Sequence, residues 1–318
     1  MVFLVVHPSP DVVICTHVFA HAHQPTVKKR RYPFHILATR TEIPSPFIIC
    51  QTSKIKPANN QKERLEMVSL EEVIKRLEAK ARPDQLEGMA RFGMVTERRL
   101  GLSIPSLREM SKDLGKDHKL AVQLWETGIP EARILAAMVE EPGKLSEAQM
   151  EDWVKGINSW DVCDQVCQNL FEKSPVAWKK VIDWSQREEE FTKRAAYALL
   201  ACLAWHDKDA KDAEFIKLLP VVKRGATDKR NFVKKAVSWA LRNIGKRNPN
   251  LNKAAIKTAK EILRIDSSTA RWIASDTIRE LSSAPVQRRL RKEALILTPI
   301  VPAMPSNTRA ASKANHSR

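Results

Sequence analysis

At 318 residues with a formal net charge of +17, the chain is long enough for one or two sizeable cores. Only 9 glycines, and no strand-like runs joined by hairpin turns, exclude a β-sandwich or barrel; Ala, Leu, Lys, Glu and Arg dominate, as in an all-α protein. An odd count of 5 cysteines excludes a disulfide scaffold and points to a reducing, intracellular setting, and the basic balance suits a polyanion, either nucleic acid or an anionic membrane surface.

Residues 1–66 read as a poorly ordered arm. Met1–Val6 is apolar but too short to span a bilayer, and it is broken by His7, Pro8 and Pro10. Lys28-Lys29-Arg30-Arg31 is a nuclear address or a solvated charge cluster, so cytoplasm and nucleus both stay open. The folded part is expected to begin near Met67, where Ser69-Leu70-Glu71-Glu72 forms a capping box ahead of Val73, Ile74 and Leu77. From there to residue 284 helices follow one another, with starts expected near Pro105, Asp117, Pro130, Ser146, Ser159, Pro175, Arg187, Asp209, Asp228, Leu251 and Ser268. Short Gly-, Pro- and Asn-bearing links such as Gly128-Ile129-Pro130 and Lys246-Arg247-Asn248-Pro249 make neighbours antiparallel. Many such pairs with no central bundle pattern predict an α-solenoid, a superhelix of HEAT-like antiparallel helix pairs; a compact helical domain is the alternative.

Three stretches carry candidate chemistry. In Ser159-Trp160-Asp161-Val162-Cys163-Asp164, Ser159 is placed to cap a helix, and Trp160 and Asp164, four apart, stack on the same side, bordering a polar face with Asp161 and Gln165. Packing in a groove for Trp160 and solvation for Asp164 is the plainer alternative. Cys163 and Cys167 share the i, i+4 spacing of a zinc pair, but no nearby His completes a site, and core thiols explain them. In Lys193-Arg194-Ala195-Ala196, Arg194 borders a small-residue face and is either a salt-bridge partner or a functional cation. Between Lys223 and Arg247 stand nine basic residues and the single acid Asp228. Trp239 groups there with Phe232, Lys235, Arg242 and Lys246, away from the centre of the apolar face. Cations around an aromatic platform suit nucleic-acid phosphates and bases; an indole at the core edge with snorkelling neighbours is the competing reading. Residues 285–318, opening with Arg288-Arg289-Leu290-Arg291-Lys292, read as a disordered basic tail.

Taken together with Gly101-Leu102-Ser103-Ile104-Pro105-Ser106-Leu107-Arg108, Leu124-Trp125-Glu126, Glu131-Ala132-Arg133, Ser238-Trp239-Ala240-Leu241-Arg242 and Ala270-Arg271-Trp272-Ile273-Ala274, these stretches resemble the DNA alkylation repair family, the AlkD-like glycosylases built from HEAT-like repeats. The resemblance covers about Ser69 to Ser283 and rests on order and spacing rather than on any one motif. It implies a positively charged groove that holds duplex DNA, Asp164 as the catalytic aspartate, Trp160 and Trp239 as cleft tryptophans, and Arg194 and Arg108 as phosphate contacts joined by Arg242. Lys235 and Lys246 belong to the same basic face. Ile104 stands where some members place a hydroxyl residue that donates to a phosphate, a contact isoleucine cannot make. The implied reaction is release of cationic alkylated purines, 3-methyladenine or 7-methylguanine, by a monomer on DNA. It needs no metal or cofactor, and since no lysine is placed as nucleophile the strand stays uncut. Family members vary in activity. A non-catalytic helical scaffold for nucleic acid or protein, or an armadillo-type peptide adaptor, explains the solenoid equally well. Neither explains why Trp160, Asp164, Arg194 and Trp239 occur together.

Overall fold

The computed structural model describes residues 68–297, so the expected N-terminal arm, its Lys28–Arg31 run, Cys15 and Cys50 lie outside the described residues. Among the described residues every regular element is helical. The order is α1 (Leu70–Ala79), α2 (Leu86–Arg91), α3 (Ile104–Leu114), α4 (His118–Glu126), α5 (Pro130–Val139), α6 (Glu147–Lys155), α7 (Trp160–Asn169), α8 (Ala177–Ser185), α9 (Glu190–His206), α10 (Asp212–Gly225), α11 (Asn231–Gly245), α12 (Pro249–Leu263), α13 (Ser268–Leu281) and α14 (Ala284–Leu297). None is long and apolar enough to cross a membrane.

Pairs α4–α5, α8–α9, α10–α11 and α12–α13 pack as short-linked neighbours, and two rows run through the stack. One row is α3, α5, α7, α9, α11, α13, each packed on the next; the other includes α8, α10, α12 and α14. This is the expected α-solenoid of HEAT-like pairs. The seam between rows is apolar and continuous, from Val73 and Leu77 through Leu135, Val166, Leu199 and Val237 to Ile273 and Leu281. α9 lies at its centre, buried along Ala195–Ala204, because its alanines let α7, α8 and α11 approach closely.

The expected cap at Ser69 forms, and side chains also cap α3, α4, α6, α12 and α13, where Ser103, Asp117, Ser146, Asn248 and Ser267 each accept a backbone N–H of the first turn. Two expectations differ. Residues 285–297 do not end in a coil but form α14. Leu290 is buried, Gln287 donates to the Leu281 carbonyl at 2.6 Å and to Asn252 Oδ1 at 3.1 Å, and Arg289 bonds the Lys246 carbonyl, so an apolar anchor and polar contacts from two side chains hold a helix that composition alone assigned to a tail. Between α1 and α3 the chain also makes a 3-10 turn (Pro83–Gln85) and the six-residue α2, both too short for helical periodicity to announce.

Candidate active site

The site grows from the first turn of α7. Ser159 does not cap it: its hydroxyl donates to Asp161 and accepts the Val95 N–H at 3.3 Å. Asp161, expected on the polar face, is buried. It receives Nη1 and Nη2 of Arg99 at 2.8 and 3.1 Å, while Arg99 Nε donates to the Val95 carbonyl at 2.6 Å. Glu131 of α5 completes this cluster by accepting the Leu100 and Gly101 N–H groups at 3.1 and 2.8 Å. Gly101 stands at φ 84°, and a Cβ there would lie 2.2 Å from the Arg82 carbonyl oxygen, so only glycine fits the turn. The α2–α3 loop is thereby locked across the start of α7. From it the Phe92 carbonyl accepts Trp160 Nε1–H at 3.1 Å, which fixes the indole.

One turn on, Asp164 meets Arg194 of α9 in a two-pronged pair: Nε to Oδ1 at 3.1 Å and Nη2 to Oδ2 at 2.8 Å. Arg194 Nη1 donates to the Phe232 carbonyl of α11 at 2.6 Å, and its guanidinium carbon lies 5.9 Å from the centroid of the Trp160 ring. Three helices of one row are thus drawn to one cation. Small groups allow the approach: Cys163 and Cys167 point their thiols at the Phe191 and Ala195 carbonyls, at 3.9 and 3.7 Å. Both thiols and that of Cys202 are buried and unpaired, as core cysteines. Burial pushes the Asp164 carboxyl up from its ordinary value, and the Arg194 cation pulls the other way. Burial opposes the Arg194 charge as well, and the Asp164 carboxylate together with the neighbouring Cys163 and Cys167 more than offsets it. The Asp164 side chain keeps 17% of its surface open and that of Arg194 only 5%. A group so enclosed, with three donors committed, is placed to hold Asp164 rather than to grip a phosphate, the role implied for it by the resemblance.

The other expected residues divide. Trp239 stands on α11, half-buried against the core, two helices along the same row from Asp164. Lys235, one turn before it, is exposed. Its ammonium is held below its ordinary value by partial burial and by the charges of Arg194 and Lys234, and it has no carboxylate partner among the described residues. Arg108 of α3 is half-buried, and its guanidinium likewise has no partner among the described residues. Arg242 and Lys246 are spoken for: Arg242 pairs with Glu280 and stands 3.5 Å from Asp276, and Lys246 reaches Glu280 at 2.8 Å, tying α11 to α13. Trp125 and Arg133 brace the scaffold. Trp125 stacks on Trp153 at 4.3 Å, and Arg133 lies over Trp125 and donates to the Gly156 carbonyl at 2.7 Å. Sequence reading missed Arg99 and the Ser159–Asp161 lock, because the loop partners Val95 and Arg99 lie 64 and 62 residues before Ser159 and Asp161, and a helical projection shows only a polar position.

An ionisable carboxyl with some solvent access and an indole can stabilise developing positive charge, and cations without a carboxylate partner along the same helix row can hold the phosphates of a polyanionic substrate. Comparison with known proteins bears on this. The chain is similar at 19% identity to a structure from a family related to the HEAT-like repeat DNA glycosylases with affinity for branched DNA structures, over 66% of this chain and 94% of that one, with a TM-score of 0.56. A designed armadillo repeat protein in complex with a Lys-Arg peptide matches at 16% identity over 73% of this chain and 89% of its own, with a TM-score of only 0.30. No curated protein matches. The family model described as DNA alkylation repair enzyme matches residues 73–281, spanning α1 to α13. The chain belongs to the DNA alkylation repair enzyme family.

Proposed function

We propose that the protein is a DNA glycosylase that hydrolyses the N-glycosidic bond of cationic alkylated purines, 3-methyladenine and 7-methylguanine, in duplex DNA. The observation that carries this reading is the convergence of Asp164, Trp160 and Arg194 from α7 and α9 beside Lys235 of α11, which has no carboxylate partner among the described residues. A cationic base is already a good leaving group, so no strong general acid is required. What needs stabilising is positive charge on the deoxyribose as the bond breaks, an oxocarbenium-like state. Asp164 as a carboxylate supplies that charge and orients the attacking water. Arg194 sets the direction of the carboxylate through its two-pronged grip. Trp160 and Trp239 offer π faces to the sugar cation, and Arg108 and Lys235 contact phosphates without reading sequence. Arg242 and Lys246, both ion-paired, contribute more to joining α11 and α13 than to holding DNA. The strand is left uncut, and the protein acts as a monomer.

One observation favours a second reading, a non-catalytic DNA scaffold: the pair with Arg194 already balances the charge of Asp164. Incubating purified protein with N-methylated duplex and quantifying the free purines separates the two. Release of 7-methylguanine or 3-methyladenine above the spontaneous rate is expected; binding without release would establish the scaffold.

A further inference from the structure

Among the described residues Trp272 is the one tryptophan classed as exposed, with 42% of its surface open. It lies in the second turn of α13, the helix after α11 in the row that carries Asp164 and Arg194. Lys234 Nζ sits 4.7 Å from the centroid of its ring. Neither Lys234 nor its neighbour Lys235 has a carboxylate partner among the described residues, and Lys235 feels the charges of both Arg194 and Lys234. A line of cations therefore runs from the Asp164 pair to Trp272.

One turn further along the same two helices the character reverses. Ser238 donates to Asp276 at 2.9 Å, Arg242 and Lys246 are taken by Glu280, and Arg279 bonds Asp276. These contacts already close the α11–α13 interface, so Trp272 is not needed to seal it. An indole buries a large apolar area when it packs, and leaving it in water forgoes that stabilisation. A cation lies over the ring, and 42% of the residue's surface still stays open. Unpaired cations beside it repel a basic partner and attract a polyanion. Phosphates alone need no ring, whereas any base that has left its stack presents a π face to one.

We propose that Trp272, backed by Lys234, is a stacking platform for an unstacked DNA base, so that the protein prefers duplex carrying a single-stranded overhang to blunt duplex. This rests on the DNA-binding reading above and adds a second station, one helix beyond Trp239.

The test is the affinity of the full chain for a labelled blunt duplex and for the same duplex with a single-stranded overhang. The wild-type protein is expected to bind the overhang DNA more tightly. Trp272→Ala is expected to weaken overhang binding about five-fold or more, to leave blunt-duplex affinity within about two-fold, and to keep the slope of affinity against salt, because no charge is removed. Trp272→Phe restores the preference. Lys234→Ala weakens both DNAs and lowers the salt slope by about one. If Trp272→Ala loses its cooperative melting transition, Trp272→Leu takes its place with the same expectations. Equal loss on both DNAs, or no loss on either, overturns the platform. A wild-type protein that binds blunt and overhang DNA alike overturns it while leaving the glycosylase reading intact, and one that binds neither overturns both.

Discussion

Arg194 grips Asp164 with two nitrogens and anchors itself on the Phe232 carbonyl with a third, so one residue sets both the direction and the charge of the carboxylate. The sign of the pH effect follows. Burial raises the Asp164 pKa, and only the ionised form stabilises a sugar cation. On the proposed glycosylase reading, excision is therefore expected to be full above the folded-state pKa and to be lost as pH falls through it, at a higher pH than for an ordinary aspartate. Removing the opposing cation in Arg194→Met is expected to move this acid limb to still higher pH and to lower kcat more than DNA affinity, as single-turnover rates across pH would show. An unmoved limb with weakened DNA binding would return Arg194 to the phosphate-clamp role. That Trp160 and Asp164 share a side was legible from their spacing of four. That Arg194 faces Asp164 was not, since nothing local links residues 30 apart.

At the level of elements, the α2–α3 loop is what fixes the start of α7. Arg99, Asp161, Ser159 and Glu131 form a buried polar cluster in which each charge has partners. Breaking such a pair leaves an uncompensated buried charge and costs about 3–5 kcal/mol. Asp161→Ala is accordingly expected to lower stability by that order in denaturant unfolding and to free the Trp160 indole, whereas a surface pair such as Arg91–Glu87 is expected to contribute less than about 1 kcal/mol. Stability unchanged in Asp161→Ala would show that the loop is not held this way. The long helices α9, α11 and α12 announce themselves by apolar periodicity and by links rich in Gly, Pro and Asn. The cluster does not, because a helical wheel places Asp161 toward solvent and a loop from earlier in the chain covers it. α14 was hidden for the opposite reason: its basic run reads as solvated, and the contacts of Leu290, Gln287 and Arg289 reveal what it packs on.

Across the whole molecule the charge matters by position. Most of the excess of +17 lies in residues 1–66 and 285–318, while along α11 the cations toward α13's acids are neutralised and Lys234 and Lys235 are not. Arg108→Ala and Lys235→Ala are each expected to reduce the slope of log affinity against log salt by about one, for duplex of any sequence. Arg242→Ala is expected to leave the slope nearly unchanged and instead to lower the melting temperature, by exposing Glu280 and Asp276. A slope change in Arg242→Ala would place that residue on the DNA. The repeat architecture could be read from the sequence; which helices form the row that carries the site, and which cations stay free, could not, because a residue such as Arg242 finds its acidic partner 38 residues away. The most direct measurement is single-turnover release of 7-methylguanine from methylated duplex by the wild-type protein and Asp164→Asn, with DNA affinity measured on both. The account predicts release by the wild type, a loss of about 100-fold or more in the variant, and affinity little changed; release at the wild-type rate by Asp164→Asn would contradict it.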